Sequence, residues 1–105
     1  MKIVASRLTK ARILTTLKKH DDALKQYSVK RIGLFGSYAR GNQTARSDID
    51  FLVEFDRPTY DNFYGLWVYL ESLFGRKVEV LTPNAVDSIR VDEVARSIRE
   101  SVVFV

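Results

Sequence analysis

Gly36-Ser37-Tyr38-Ala39-Arg40-Gly41 stands between two short apolar runs, Arg31 to Phe35 and Ile49 to Phe55, and Ser47-Asp48-Ile49-Asp50 opens the second run. Alternate residues of a strand face the same side. Asp48 and Asp50 are therefore expected to project together, with Ile49, Phe51 and Val53 turned to the core. Two carboxylates so placed repel unless a cation sits between them. Ligands that are all oxygen, with room for water, suit Mg²⁺, which binds through one or two carboxylates plus substrate phosphates. Gly36 and Ser37, just before an expected helix start, offer backbone N–H groups and a hydroxyl to a polyphosphate. Together these residues read as a device for holding a metal–nucleoside triphosphate.

Composition narrows the alternatives. At 105 residues the chain is expected to form one domain, spanning 1–105, with a single core. Hydrophobic content of 46% against 29% charged argues against disorder. No apolar run approaches the length of a membrane span and no signal-peptide core follows Met1, so a cytoplasmic protein is expected, with no membrane partner. Cysteine is absent, which excludes disulfides, thiolate catalysis and cysteine-ligated zinc. A P-loop is excluded because no G-x-x-x-x-G-K-[ST] occurs. Charge is lopsided: residues 1–46 carry 11 Lys/Arg against 2 Asp, and residues 47–105 carry 6 against 11 Asp/Glu. A basic half can signal nucleic acid. Lys10, Arg12, Lys18, Lys19 and Lys25 fit better as the solvent face of a helix whose field also draws in an anionic nucleotide, so direct nucleic-acid binding is disfavoured.

Leu8, Ala11, Leu14, Leu17, Leu24 and Tyr27 recur near a 3.6 period, which predicts helix over 8–27, as one piece or as two broken at His20-Asp21-Asp22. Ser6 is a candidate cap for its start, and an Asp for a second helix. His20, the one histidine, reads as a surface or capping residue. Ser28 marks a turn, and Val29 to Phe35 reads as a strand. A helical turn opened by Ser37 runs from Tyr38 to Gly41, and a second strand from Asp48 to Phe55. Phe63, Leu66, Trp67, Leu70, Leu73 and Phe74 predict a helix over 60–74, ended by Gly75. That aromatic stripe reads as core. Lys77 to Leu81 reads as a third strand with Val78 and Val80 on one face and Glu79 on the other; if it lies beside the second, Glu79 converges on Asp48 and Asp50. Val86 to Ile89 and Val91 to Glu100 read as helical, and Val102 to Val105 as an edge strand. The fold class is therefore α/β (α+β), a small mixed sheet packed against helices.

G-S-x-A-R-G followed by S-D-x-D resembles the signature of the minimal nucleotidyltransferases of the DNA polymerase β-like superfamily, over about Val29 to Leu81. The resemblance implies a nucleotidyltransferase fold and attack of an acceptor hydroxyl on the α-phosphorus of an NTP, ATP above all. It makes Asp48, Asp50 and Glu79 the catalytic and metal-binding acids, with Asp48 and Asp50 shared by two Mg²⁺ ions, or Mn²⁺ in their place. A pair of ions about 4 Å apart clamps the attacking and leaving oxygens. Gly36 and Ser37 would hold the outgoing phosphates. Arg40 would touch phosphate or partner, or pair back onto the acidic strand. Ser47 would order the strand start through a side-chain-to-backbone bond. Glu79 departs from the family, whose third carboxylate is usually Asp; the extra methylene displaces the carboxylate by roughly one C–C bond, and small misplacements matter in catalysis.

Small relatives often act as antitoxins beside a helical HEPN ribonuclease toxin, some by adding AMP to a toxin tyrosine. The implied activity is thus transfer of NMP to a hydroxyl of such a toxin. The competing expectation is a module that neutralises its partner by contact without catalysis. NTP preference, the acceptor residue and the oligomeric state stay open at this level.

Overall fold

The sheet order is β3-β2-β1-β4, with β1 (Val29–Phe35) antiparallel to β2 (Ile49–Phe55) and to β4 (Val103–Phe104), and β3 (Val78–Leu81) parallel to β2. The computed structural model describes residues 8–105. Around the sheet lie α1 (Lys10–Lys19), α2 (Asp21–Gln26), α3 (Gly36–Arg40), α4 (Tyr60–Phe74), α5 (Pro83–Asp87) and α6 (Asp92–Ser101). The architecture is the mixed α/β arrangement that the alternating apolar runs predict.

Strand alternation is realised. Ile49, Phe51 and Val53 are fully buried on one face of β2, beside Ile32 and Leu34 of β1 and Val78 and Val80 of β3. Leu66, Leu70 and Phe74 of α4 and Ile13, Leu17 and Leu24 of the N-terminal helices pack against that face. Phe51 and Phe74 stack with ring centroids 5.8 Å apart. The other face carries a second, smaller core. Phe35 and Leu52 of the sheet meet Val86 of α5 and Ala95 and Ile98 of α6. Gly33 lets this layer close, since a Cβ there would come within 2.7 Å of Val102 Cγ2 and 2.8 Å of Phe104 Cδ1.

Several boundaries differ from those the sequence suggests, each for a local reason. The 8–27 segment is two helices. The break is at His20, which ends α1, starts α2 and places Nδ1 2.9 Å from the Thr16 carbonyl. Neither Asp21 nor Asp22 caps α2; both lie in its first turn, where carboxylates suit the helix dipole. Helix α1 starts at Lys10 because Thr9 accepts the Arg12 N–H, while Ser6 lies outside the described residues. Ile13, not Ala11, is the buried residue of its first turns, and Ala11 is exposed. Thr82 likewise caps α5 through the Ala85 N–H, so this helix begins at Pro83, earlier than Val86. Pro at the first helical position suits that start. Helix α4 matches its expected span, capped by Thr59 and closed by Gly75 at φ +65.

Leu70 is fully buried between α4 and the sheet. Leu70→Ala should lower the free energy of unfolding by about 2–5 kcal/mol through lost burial and a residual cavity. Urea denaturation should show a lower midpoint with an unchanged slope.

Candidate functional site

The register sets three residues in a row across the sheet. Phe35 of β1 pairs with Asp50 of β2, and Asp50 pairs with Glu79 of β3. All three lie on the face opposite Ile49 and Phe51, and α6 packs over the first of them, Phe35. Asp50 is half-buried and Glu79 is exposed. Asp48 is also exposed and sits one residue before β2 begins, so it is held by the loop and not by strand pairing. Asp50 has its pKa raised from 3.8 to about 6, by burial first, then by the charges of Glu79 and Asp48, with Arg40 acting in the opposite direction. These acids therefore share one field.

Gly36 forms the wall behind Asp50. Its φ is +75, in the left-handed region that favours glycine, and a Cβ would overlap Asp50 Oδ2. Helix α3 starts at Gly36 with Phe35 in the cap position, so Ser37 is inside the first turn and does not cap it. The Ser37 carbonyl accepts the Gly41 N–H and, at 3.1 Å, that of Asn42, while its hydroxyl has no hydrogen-bond partner among the described residues. Arg40 is exposed and, among the described residues, makes no ion pair within 4 Å. Its influence on Asp50 is thus through space, not through a closed salt bridge.

Ser47 orders the loop as its position suggests, accepting the Thr44 N–H at 2.9 Å. A residue that local patterning does not reveal reinforces it. Arg76, between α4 and β3, donates through Nη2 to the carbonyls of Ala45 and Ser47, the latter at 3.1 Å. The neighbouring Ile49 N–H donates to the Lys77 carbonyl at 3.1 Å. The loop carrying Asp48 is thereby tied to the start of β3, which carries Glu79.

Among the described residues no three His, Cys, Asp or Glu side chains form a ready-made metal cage. The donor set is nonetheless one for a hard divalent cation: carboxylate oxygens only, one with its pKa raised by burial and then by its acidic neighbours, and no cation within 4 Å of them among the described residues. Such ions commonly complete their shell with water and substrate phosphates.

Two outcomes follow from this geometry. Because the folded Asp50 pKa lies above its ordinary value, its contribution is fully present below about pH 4 and is lost as pH rises through about 6. Metal-free Asp50→Asn should lack this loss and be more stable at pH 7.5 by about 1–2 kcal/mol, after allowance for solvent screening. Thermal melts across pH 4–8 on both proteins, in chelator, check the sign. Arg76→Met should leave the melting temperature within a few degrees but raise amide exchange of residues 42–48 in hydrogen-exchange mass spectrometry, as the carbonyls of Ala45 and Ser47 lose their donor.

Sequence and structure comparisons agree on what this arrangement belongs to. A family model described as "Nucleotidyltransferase domain" matches residues 17–105. The chain is 45% identical over 101 residues to "Putative protein adenylyltransferase MJ1379" of Methanocaldococcus jannaschii, covering 92% of this chain and 98% of that one. It is 35% identical over 100 residues to "Protein adenylyltransferase MntA" of Thermococcus cleftensis, covering 93% and 97%. The fold superposes on a solved "putative minimal nucleotidyltransferase" with TM-score 0.71 at 21% identity, over 93% of this chain and 97% of that one. A toxin–antitoxin crystal structure with AMP-PNP gives TM-score 0.59 at 21% identity, over 92% and 72%. With the Gly36-Ser37 turn and the Asp50 corner built on this sheet, the chain belongs to the nucleotidyltransferase domain family.

Proposed function

We propose that the protein transfers AMP from ATP to a hydroxyl group of a partner protein, a HEPN-type toxin that it silences as an antitoxin. The observation that carries the reading is the pairing of Asp50 with Glu79 across β2 and β3, with Asp48 beside them and Gly36 against Asp50. A protein acceptor is supported by relatives 35–45% identical over nearly their whole length that bear the name protein adenylyltransferase. The antitoxin role is supported by the name MntA of one relative and by the MntA–HpeT toxin–antitoxin crystal structures of like fold.

In this reading the acceptor hydroxyl oxygen attacks the α-phosphorus, the bond from that phosphorus to the bridging oxygen breaks, and pyrophosphate departs with the electron pair. Asp48, Asp50 and Glu79 would hold divalent ions, Mg²⁺ or Mn²⁺, that neutralise charge on the attacking and leaving oxygens. Glu79 takes the hydroxyl proton as a general base. The N–H groups at the start of α3 and the Ser37 hydroxyl hold the departing phosphates, and Arg40, unpaired among the described residues, adds positive charge beside them. The competing reading is neutralisation by contact alone. It draws on Glu79 standing where the family usually has Asp, and on the exposed Tyr60, Tyr64 and Val68 of α4.

The deciding experiment incubates the protein with ATP, Mg²⁺ and the protein encoded next to it, as the candidate toxin, then weighs both chains intact. A gain of one AMP on the toxin supports transfer; silencing without a mass gain supports contact. Glu79→Gln should keep nucleotide binding and lose about 10²–10⁴-fold in transfer rate, the usual contribution of a general base. Glu79→Asp separates the readings further: a slower rate fits an enzyme adapted to Glu, and an unchanged rate for both variants removes Glu79 from the mechanism.

A further inference from the structure

Strand β3 is at the margin of the sheet, with β2 on one side and, among the described residues, no strand on the other. The Ile49 N–H donates to the Lys77 carbonyl, and Asp50 pairs with Glu79 in a parallel register. Alternate residues of a strand turn their backbone groups to the same side. Glu79 and Leu81 therefore bond toward β2, and Val78 and Val80 point their N–H and C=O groups outward. We propose that this outer edge of β3 binds an extended segment of the acceptor protein as an added strand, which sets the acceptor hydroxyl beside Glu79. The inference rests on the proposed transfer of AMP and adds how the acceptor is presented to the site.

The edge is not uniformly free, and that fixes where the segment lies. Glu71 of α4 accepts the Val78 N–H at 3.2 Å, which blocks the edge toward Lys77. The Val80 N–H has no side-chain or loop acceptor among the described residues. An unpaired strand edge is a template for another chain, and strand addition is a recurring mode of peptide capture. Val80 thus exchanges both its bonds with one residue of an antiparallel segment. Glu79 then falls in the adjoining pair, which has no hydrogen bonds between its strands. Cα atoms in such a pair lie about 4.5 Å apart and their side chains meet closely.

Side-chain alternation selects the occupant. Val78 and Val80 are buried in the core with Leu66, Leu70 and Phe74 of α4, whereas Glu79 and Leu81 lie on the opposite face with Asp50. The segment residue opposite Glu79 projects onto that same face. It extends the row Phe35, Asp50, Glu79 by one position. A hydroxyl there stands next to the carboxylate proposed to take its proton. The residue two before it stands opposite Leu81, a partly buried side chain of the smaller core, and an apolar residue suits that place. The residue between them lies beside Val80 on the α4 side. In chain order the recognised segment is apolar, then a spacer, then the hydroxyl-bearing residue.

The first test alters the segment and leaves the protein intact. Three acetylated and amidated peptides containing Leu-Val-Tyr serve as acceptors with Mg·ATP, and mass spectrometry reads the gain of AMP. One is unmodified, one is N-methylated at its Val and one at its Leu. In the proposed register the Val N–H donates to the Val80 carbonyl, while the Leu N–H points away from β3. Methylation at Val should raise KM at least about tenfold, through a lost hydrogen bond and blocked strand approach, and methylation at Leu should change it less than about twofold. A second test locates the edge. Glu71→Ala, its folding checked by thermal melts, frees the Val78 N–H and should lower KM for the unmodified peptide about two- to fivefold. Glu71→Gln keeps an acceptor and should leave KM as in wild type. Equal effects of the two methyl groups, or an unchanged KM in Glu71→Ala, overturn the proposal. Transfer to the protein encoded next door without transfer to the unmodified peptide overturns it too. Should neither acceptor gain AMP, the transfer reading itself fails and the docking edge with it.

Discussion

The burial of Asp50 beside two other carboxylates is the constraint around which the rest of the chain is arranged. Asp50 is half-buried, next to Glu79 in the register, and carries a pKa of about 6. Left to itself such a group would swing away or draw in a lysine. It does neither because the opposite face of β2 is locked. Ile49, Phe51 and Val53 are fully buried, and a one-residue slip would send all three to solvent and Asp50 into the core. The hydrophobic effect acting on one face thus holds an unfavourable arrangement on the other. Gly36 completes the trap by packing its backbone where any side chain would collide with Asp50. Strain of this kind is tolerated where the surrounding structure over-determines it.

Two layers of packing of unequal extent then shape the site. The larger layer, α1, α2 and α4, covers one face of the sheet along β1, β2 and β3. The smaller layer, α5, α6 and the C-terminal residues, covers the other face through Leu52, Leu81 and Phe35 and stops short of Asp50 and Glu79. Its incompleteness is what leaves the Asp50 end open. Arg31 at the far end of β1 is occupied by the Phe104 ring, 3.8 Å from its centroid. The same face is therefore closed at one end by the chain's own C-terminus and accessible at the other.

What the sequence disclosed and what it hid follow from the range of the forces involved. Period-two alternation in Ile49 to Phe55 and Val78 to Leu81 reports burial, and burial decided those strands and their facing sides. The α4 stripe from Phe63 to Phe74 did the same for a long helix. Short helices were placed less well, because their ends depend on single caps: Thr9 and Thr82 decided α1 and α5 over apolar spacing. Ala11 looked like a core residue by spacing, yet Ile13 took that place once Thr9 set the phase. Arg76 could not be read at all. Its bond to the Ser47 carbonyl spans 29 residues of sequence, and nothing in the neighbourhood of an arginine after a helix-ending glycine announces a partner that far away. Asp48 and Asp50 appeared equivalent at i and i+2, whereas the strand begins between them. One acid is fixed by the sheet and the other by the loop that Arg76 ties down.

That difference in how the acids are held bears on the glutamate that departs from the family pattern. In the proposed reaction Asp50 is the fixed point, short, half-buried and walled by Gly36. Glu79 stands one strand over, on the short β3, and is solvent-exposed. Its extra methylene would misplace a carboxylate that packing held rigidly. In water the same methylene adds a freely rotating bond, and a long exposed side chain surrenders its rotamer freedom, up to about 2 kcal/mol, only when it engages a ligand. The longer acid is therefore accommodated at the exposed end of the three-residue row, on the edge strand. A glutamate at position 50 would instead meet the Gly36 backbone and the start of α3. In the proposed reaction, position 50 thus calls for aspartate and position 79 for an acid within reach.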